Sequence, residues 1–176
     1  MTASLSKDGS RYSVRFERQL PHSPEKVWRV LTERELLKQW FPCEIVGEWR
    51  VGAKLEFPLE GLAAEGAKEE DFHGGVLSVE PPRLLEFRWG RDILRYELNS
   101  EGDGCRLIFV HSFEDKSTAA RNAAGWEICF ANMDSALAAQ APAEFDVEAW
   151  GVLFERYVAE FEPQAGSQQG PPSSGE

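Results

Sequence analysis

The sequence predicts an α+β fold in which one curved antiparallel sheet grips a single long helix, and three observations predict it. The first is the stretch Asp115 to Gln140. At about 3.6 residues per turn, Ala119, Ala123, Trp126, Phe130, Met133 and Leu137 fall there on one narrow stripe. Arg121, Asn132 and Ser135 take the other side, with Ile128 the one apolar residue among them. The second is that almost everything before this helix alternates apolar with polar residues, the period of a half-buried strand. The third is the short Gly-, Pro- and Asp-containing turns between those runs, which favour hairpins and leave the helices segregated to one face. A sheet and a helix of this length seldom fill the space between them completely, so a pocket is expected at their junction.

Taken in order, Met1 to Ser10 is polar and reads as a flexible tail. Arg11 to Leu20 (RYSVRFERQL) alternates, with Tyr12, Val14 and Phe16 pointing one way and Ser13, Arg15 and Glu17 the other. Ser23-Pro24 supplies an N-cap followed by proline at the first helical position, opening a helix that carries Val27, Trp28 and Leu31. Thr32-Glu33-Arg34-Glu35 fits a capping box for a second short helix, which turns Leu36, Leu37 and Trp40 inward and stops at Pro42. Strands are expected at Cys43 to Trp49 and Lys54 to Leu59 around a Val51-Gly52-Ala53 turn. The Gly-, Ala- and acid-rich segment Glu60 to His73 reads as a mobile connection. Further strands are expected at Gly75 to Glu80, Arg83 to Trp89, Ile93 to Asn99 and Cys105 to Phe113, for a sheet of about six to seven. After the long helix, Pro142 breaks the chain. Asp146 can cap a last helix whose Trp150, Phe154, Tyr157 and Phe161 form an apolar face, and the composition from Pro163 onward is that of a disordered tail. The result is one domain over residues 11–162, with a helical extension at 146–161.

Composition narrows the function. The chain has 176 residues, enough to bury a core, and 6 Trp with 11 Phe to fill it. A formal charge of −11 disfavours nucleic acid and anionic membranes, both of which select for Lys and Arg. No apolar run reaches the length needed to span a bilayer. Cys43, Cys105 and Cys129 are odd in number and lack a CxxC pair, which fits free thiols in a reducing cytosol. The N-terminal residues contain no apolar core of a secretory signal, so a cytoplasmic protein is expected.

The motifs Pro24-Glu25-Lys26-Val27-Trp28, Leu31-Thr32, Leu36 and Trp40-Phe41-Pro42, in that order, resemble the opening of START-like (SRPBCC) proteins. The branch they resemble is related to the C-terminal domain of the activator of the heat-shock ATPase. Arg50-Val51-Gly52, Gly75-Val76-Leu77, Leu107 to Phe113 (LIFVHSF) and Gly125-Trp126 follow in the same order, so the resemblance spans Arg11 to Leu137. It implies a helix-grip fold with a cavity between sheet and C-terminal helix. The family has no universal catalytic residue to transfer. Here Gly52-Ala53 stands where relatives often have a Gly pair, and Asp146 to Phe161 extends beyond their usual end.

Within the expected cavity, two polar side chains stand out. His111 shares a strand face with Leu107, Phe109 and Phe113, and reads either as a ligand anchor or general base, or as a satisfied core histidine. Tyr96 is in phase with Leu94 and Leu98 and should point inward, where its hydroxyl needs a partner. Phe87, Trp89, Trp126, Phe130 and Trp40 complete the candidate wall, whereas Arg88 should face solvent. Asp71 and His73 form a lone Asp-x-His without a third metal ligand, so no metal or cofactor is expected. Cys129 reads as filler at the edge of the apolar stripe, and no nucleophile triad or nucleotide loop occurs.

The leading reading is therefore non-enzymatic binding of a small lipophilic or aromatic molecule by a monomer or weak dimer. An alternative is an interaction module for a chaperone ATPase, as the resemblance implies, although the activator's additional N-terminal domain is not expected in the residues before Arg11. A third is a cyclase- or hydrolase-like enzyme, for which His111 is the available acid–base group and no catalytic residue is assigned.

Overall fold

A computed structural model describes residues 2–58 and 69–168. Eight antiparallel strands form one open sheet in the order β1-β2-β8-β7-β6-β5-β4-β3, and a long helix lies across it in a helix-grip arrangement. The strands are β1 (Ser4–Asp8), β2 (Arg11–Leu20), β3 (Val46–Gly47), β4 (Lys54–Glu56), β5 (His73–Glu80), β6 (Leu84–Trp89), β7 (Asp92–Glu101) and β8 (Gly104–Phe113). The helices are α1 (Pro24–Thr32), α2 (Arg34–Leu37), α3 (Ala119–Leu137) and α4 (Val147–Ala165).

The centre of the sheet follows the alternation in the sequence. Val14 and Phe16 of β2, Leu94, Tyr96 and Leu98 of β7, and Leu107, Phe109, His111 and Phe113 of β8 are all buried on the sheet face that α1 and α3 cover. Arg88, out of phase with Leu85 and Phe87, is exposed as expected. Gly74 of β5 lies where a Cβ would come within 1.9 Å of the Arg88 carbonyl oxygen, so close strand approach next to Trp89 requires glycine there.

Four expectations need correction. The N-terminal segment expected to be a tail contains β1, whose backbone pairs with β2 from Ser4↔Arg15 to Asp8↔Arg11. It escapes alternation analysis because Leu5 is its one apolar residue, and an edge strand can be held by backbone pairing and a tight turn at Gly9 (φ 57). The capping box at Thr32 does not form. Thr32 is still helical, and its hydroxyl donates back to the Trp28 carbonyl at 2.8 Å, leaving Glu33 as an N-cap whose side chain makes no capping bond. The hairpin before the acidic connection is shorter than expected, with two residues in β3 and three in β4. Finally, α4 runs past Pro163 to a buried Ala165, and Gln168 accepts a hydrogen bond from the Ala120 N–H at 3.0 Å. The rest of the supposed C-terminal tail, and residues 59–68 of the acidic connection, lie outside the described residues. Glu69–Phe72 form a 3₁₀ turn leading into β5.

Asp146 caps α4 through its carboxylate, which accepts from the N–H groups of Glu148 and Ala149. Phe154, Tyr157, Phe161 and Ala165 then pack inward against α3. This gives α3 a second buried side: Ala120 and Ala124, on the same side as Glu127, are as buried as the sheet-facing stripe. No helix of the described residues is long and apolar enough to cross a membrane.

Candidate functional site

The side chains singled out from the sequence meet in one layer between the sheet and α3. From the sheet come Phe87 and Trp89 of β6, Tyr96 of β7, and Leu107, Phe109 and His111 of β8. From above come Trp126 and Phe130 of α3, and Trp40 from the turn after α2. Phe109 lies 4.6 Å from Trp126 and 4.8 Å from Tyr96 between ring centroids, and Trp40 stacks on Phe130 at 6.3 Å with an interplanar angle of 20°. These rings touch one another and fill the layer. Phe41, which sequence reasoning left out, joins them: it packs on Phe87, Trp89 and Trp126.

His111 is 2% exposed and both of its ring nitrogens are engaged. Trp126 donates its indole N–H to Nδ1 at 2.9 Å, and Nε2 lies 2.7 Å from Oδ2 of Asp92. An indole can only donate, so Nδ1 must hold a lone pair and Nε2–H must donate to the carboxylate. The tautomer is thereby fixed, and no lone pair is left for a substrate proton. The arrangement orients Trp126 and ties α3 to the β7–β8 end of the sheet. Sequence reasoning saw no carboxylate beside His111. Asp92 is nonetheless in phase with Leu94 and Tyr96, and Leu94 is the register partner of His111, so the alternation of β7 carried the signal.

Tyr96 is the reverse case. It is 1% exposed and its hydroxyl has no hydrogen-bond partner. Burial drives its ionisation well above the ordinary tyrosine value, and the proximity of Cys129 and Cys43 adds to the shift. Cys43 follows Phe41 in the turn after α2, and Cys129 lies on α3; both are partly exposed at the edge of the core. Burial pushes both thiols up to about 12, opposed at Cys43 by a hydrogen bond from Trp89. Both are therefore protonated at neutral pH and unsuited to nucleophilic attack. The site offers a phenolic hydroxyl and two weak S–H donors inside an aromatic wall.

Among the described residues no group of three His, Cys, Asp or Glu is placed to hold a metal ion. His73, one half of the Asp-x-His pair, is exposed at the start of β5.

The sequence pattern that defines the "Activator of Hsp90 ATPase homolog 1-like protein" family matches residues 21–138. No curated protein matches the chain. Among solved structures, a conserved protein of unknown function from Enterococcus faecalis, EF2215, is similar over 92% of this chain and 91% of its own. It has 24% identity and a TM-score of 0.72. CalU16 from Micromonospora echinospora is similar over 90% of this chain and 94% of its own, at 20% identity and a TM-score of 0.68. The protein MLL2253 from Mesorhizobium loti covers 72% of this chain with 97% of its own, at 24% identity and a TM-score of 0.58. These structural likenesses show a shared fold.

Proposed function

The chain belongs to the Activator of Hsp90 ATPase homolog 1-like family, and we propose that it acts as a non-enzymatic receptor for a small lipophilic or aromatic ligand held between the sheet and α3. One observation carries this reading: the Tyr96 hydroxyl is buried without a partner in a predominantly aromatic layer. Leaving such a group unpaired costs about 1–3 kcal/mol, a cost that a bound acceptor would remove. The aromatic wall supplies the apolar surface that such a ligand needs. His111 serves as a scaffold within it, since both nitrogens are spent on Asp92 and Trp126. Three free cysteines suit action in a reducing cytosol.

Native mass spectrometry of protein purified gently from cytosolic expression tests the reading. A stoichiometric small-molecule adduct in the wild type, lost in Tyr96→Phe, is the expected result. An adduct retained equally by both proteins would remove Tyr96 as its anchor.

The family's description favours a second reading, an interaction module acting on a chaperone ATPase. Stimulation of the purified chaperone's ATPase by this protein would support it, and unchanged turnover at saturating protein would remove it.

A further inference from the structure

One of the rings packed around Tyr96 comes from outside the sheet and α3. That ring, Trp40, meets Tyr96 edge-on at 6.3 Å and lies nearly parallel to Phe130, also at 6.3 Å. Phe41 fills the neighbouring space against Phe87, Trp89 and Trp126. Both are presented by a short segment between α2 and β3. Lys38, Gln39, Trp40 and Phe41 each donate a backbone N–H to a carbonyl of α2, whereas among the described residues Pro42 to Ile45 make no bond between backbone groups. Trp40 is tied to α1 by its indole N–H, which donates to the Val30 carbonyl at 2.9 Å. The stretch from Pro42 to Ile45, without backbone bonds of its own, can act as the hinge on which Trp40 and the end of α2 swing, the kind of local opening that costs less than global unfolding.

The polar groups around this slot select the ligand's chemistry. His111 has no free nitrogen. Arg18, whose guanidinium lies 5.4 Å from the centre of the Phe130 ring, is neutralised by Asp134 at 2.6 Å. The Cys43 and Cys129 thiols are held protonated by burial. With no free cation for an anionic group and no free carboxylate for an amine among the described residues around this slot, a charged ligand would be buried unpaired, at a prohibitive cost. What remains is a hydroxyl able to donate.

Resting on the receptor reading above, we infer that Trp40 occupies the ligand's seat in the free protein, and that the ligand is a neutral, planar aromatic molecule with a carbonyl-type oxygen. It binds by displacing the Trp40 ring and accepting a hydrogen bond from the Tyr96 hydroxyl. Tyr96 and Phe130 then contact the ligand as they contact Trp40, and the turn from Lys38 to Ile45 moves outward.

Isothermal titration with flavone (planar, neutral, one carbonyl) and with 2-phenylnaphthalene (similar shape, no acceptor) tests this. Wild type is compared with Trp40→Leu, Trp40→Phe and Tyr96→Phe, each checked for native near-UV circular dichroism. Flavone is expected to bind Trp40→Leu at least about tenfold more tightly than wild type, because the resident ring no longer competes. Tyr96→Phe should weaken flavone about five- to tenfold and leave 2-phenylnaphthalene unchanged, the loss of one hydrogen bond. If Trp40→Leu does not fold, Trp40→Phe, which keeps an aromatic ring but shortens it, should shift flavone affinity in the same direction. Equal flavone affinity in wild type and the folded Trp40 variant, with Tyr96→Phe still weaker, overturns the displacement and leaves the receptor reading standing. Failure of flavone and 2-phenylnaphthalene to bind wild type or either Trp40 variant overturns both.

Discussion

Tyr157 on α4 donates its hydroxyl to Oε2 of Glu127 on α3 at 2.6 Å, and the Tyr157 hydroxyl oxygen in turn accepts the backbone N–H of Ala3 at 3.0 Å. Arg156 closes the arrangement by pairing with the same Glu127 carboxylate and lying 4.6 Å over the Tyr157 ring. The segment preceding β1 and the C-terminal helix, both outside the part that matches the family pattern, are thus clasped through α3. The clasp explains how an almost wholly polar β1 is kept at the sheet edge. It also explains why α3 buries two sides.

Tyr157→Phe keeps the packing of the ring and removes the shared hydroxyl, leaving the buried Ala3 N–H without its acceptor. A loss of about 1–3 kcal/mol in unfolding free energy is expected from urea denaturation. Exchange of the β1 amides with deuterated solvent should accelerate in the same variant. Unchanged stability and unchanged exchange would mean the clasp is incidental.

Asp92 and His111 provide a second test. Asp92→Ala strips the buried Nε2–H of its acceptor and should cost about 1–3 kcal/mol, whereas Asp92→Asn retains an amide oxygen and should recover most of that loss. Tryptophan-monitored urea unfolding of the two variants separates them. Identical curves for Ala and Asn would refute the tautomer assigned to His111.

Much of this architecture was legible in the residues. The alternation of RYSVRFERQL gives β2 with its observed limits, and the stripe from Ala119 to Leu137 gives the sheet-facing side of α3. Asp146 caps the last helix as its sequence position implies. What escaped was whatever depends on a partner distant in sequence. Leu5 alone could not announce a strand that is held by its neighbour's backbone and by Tyr157. The small residues Ala120 and Ala124 read as neutral until α4 covers them. The nine candidate wall residues do converge, since inward phase on a strand or helix is a local property. That they touch one another, with Trp40 and Phe41 filling the layer, depends on how the segment after α2 folds back, which no periodicity encodes.

The two thiols near Tyr96 make stability depend on pH in the alkaline range. Their native values are raised to about 12 from an ordinary 9.0, so the native state holds these protons after the unfolded chain has released them. Their contribution is complete below about pH 9 and is lost as pH rises toward 12, by up to about 1.4 kcal/mol per pH unit for each thiol. The double variant Cys43→Ala/Cys129→Ala should therefore show a flatter decline in unfolding free energy from pH 9 to pH 11 than the wild type. Parallel declines would show that the thiols are not held protonated by the fold.

The claim that Tyr96 is reserved for a ligand is tested most directly by measuring the unfolding free energy of wild type and Tyr96→Phe, each with and without saturating flavone. An unpartnered buried hydroxyl contributes no hydrogen bond to the free protein, so ligand-free Tyr96→Phe should be as stable as wild type or more so. Flavone should then stabilise the wild type more than the variant. A ligand-free variant destabilised by 1 kcal/mol or more (about one hydrogen bond), with equal stabilisation of both proteins by flavone, would contradict the account and make Tyr96 an ordinary member of the core.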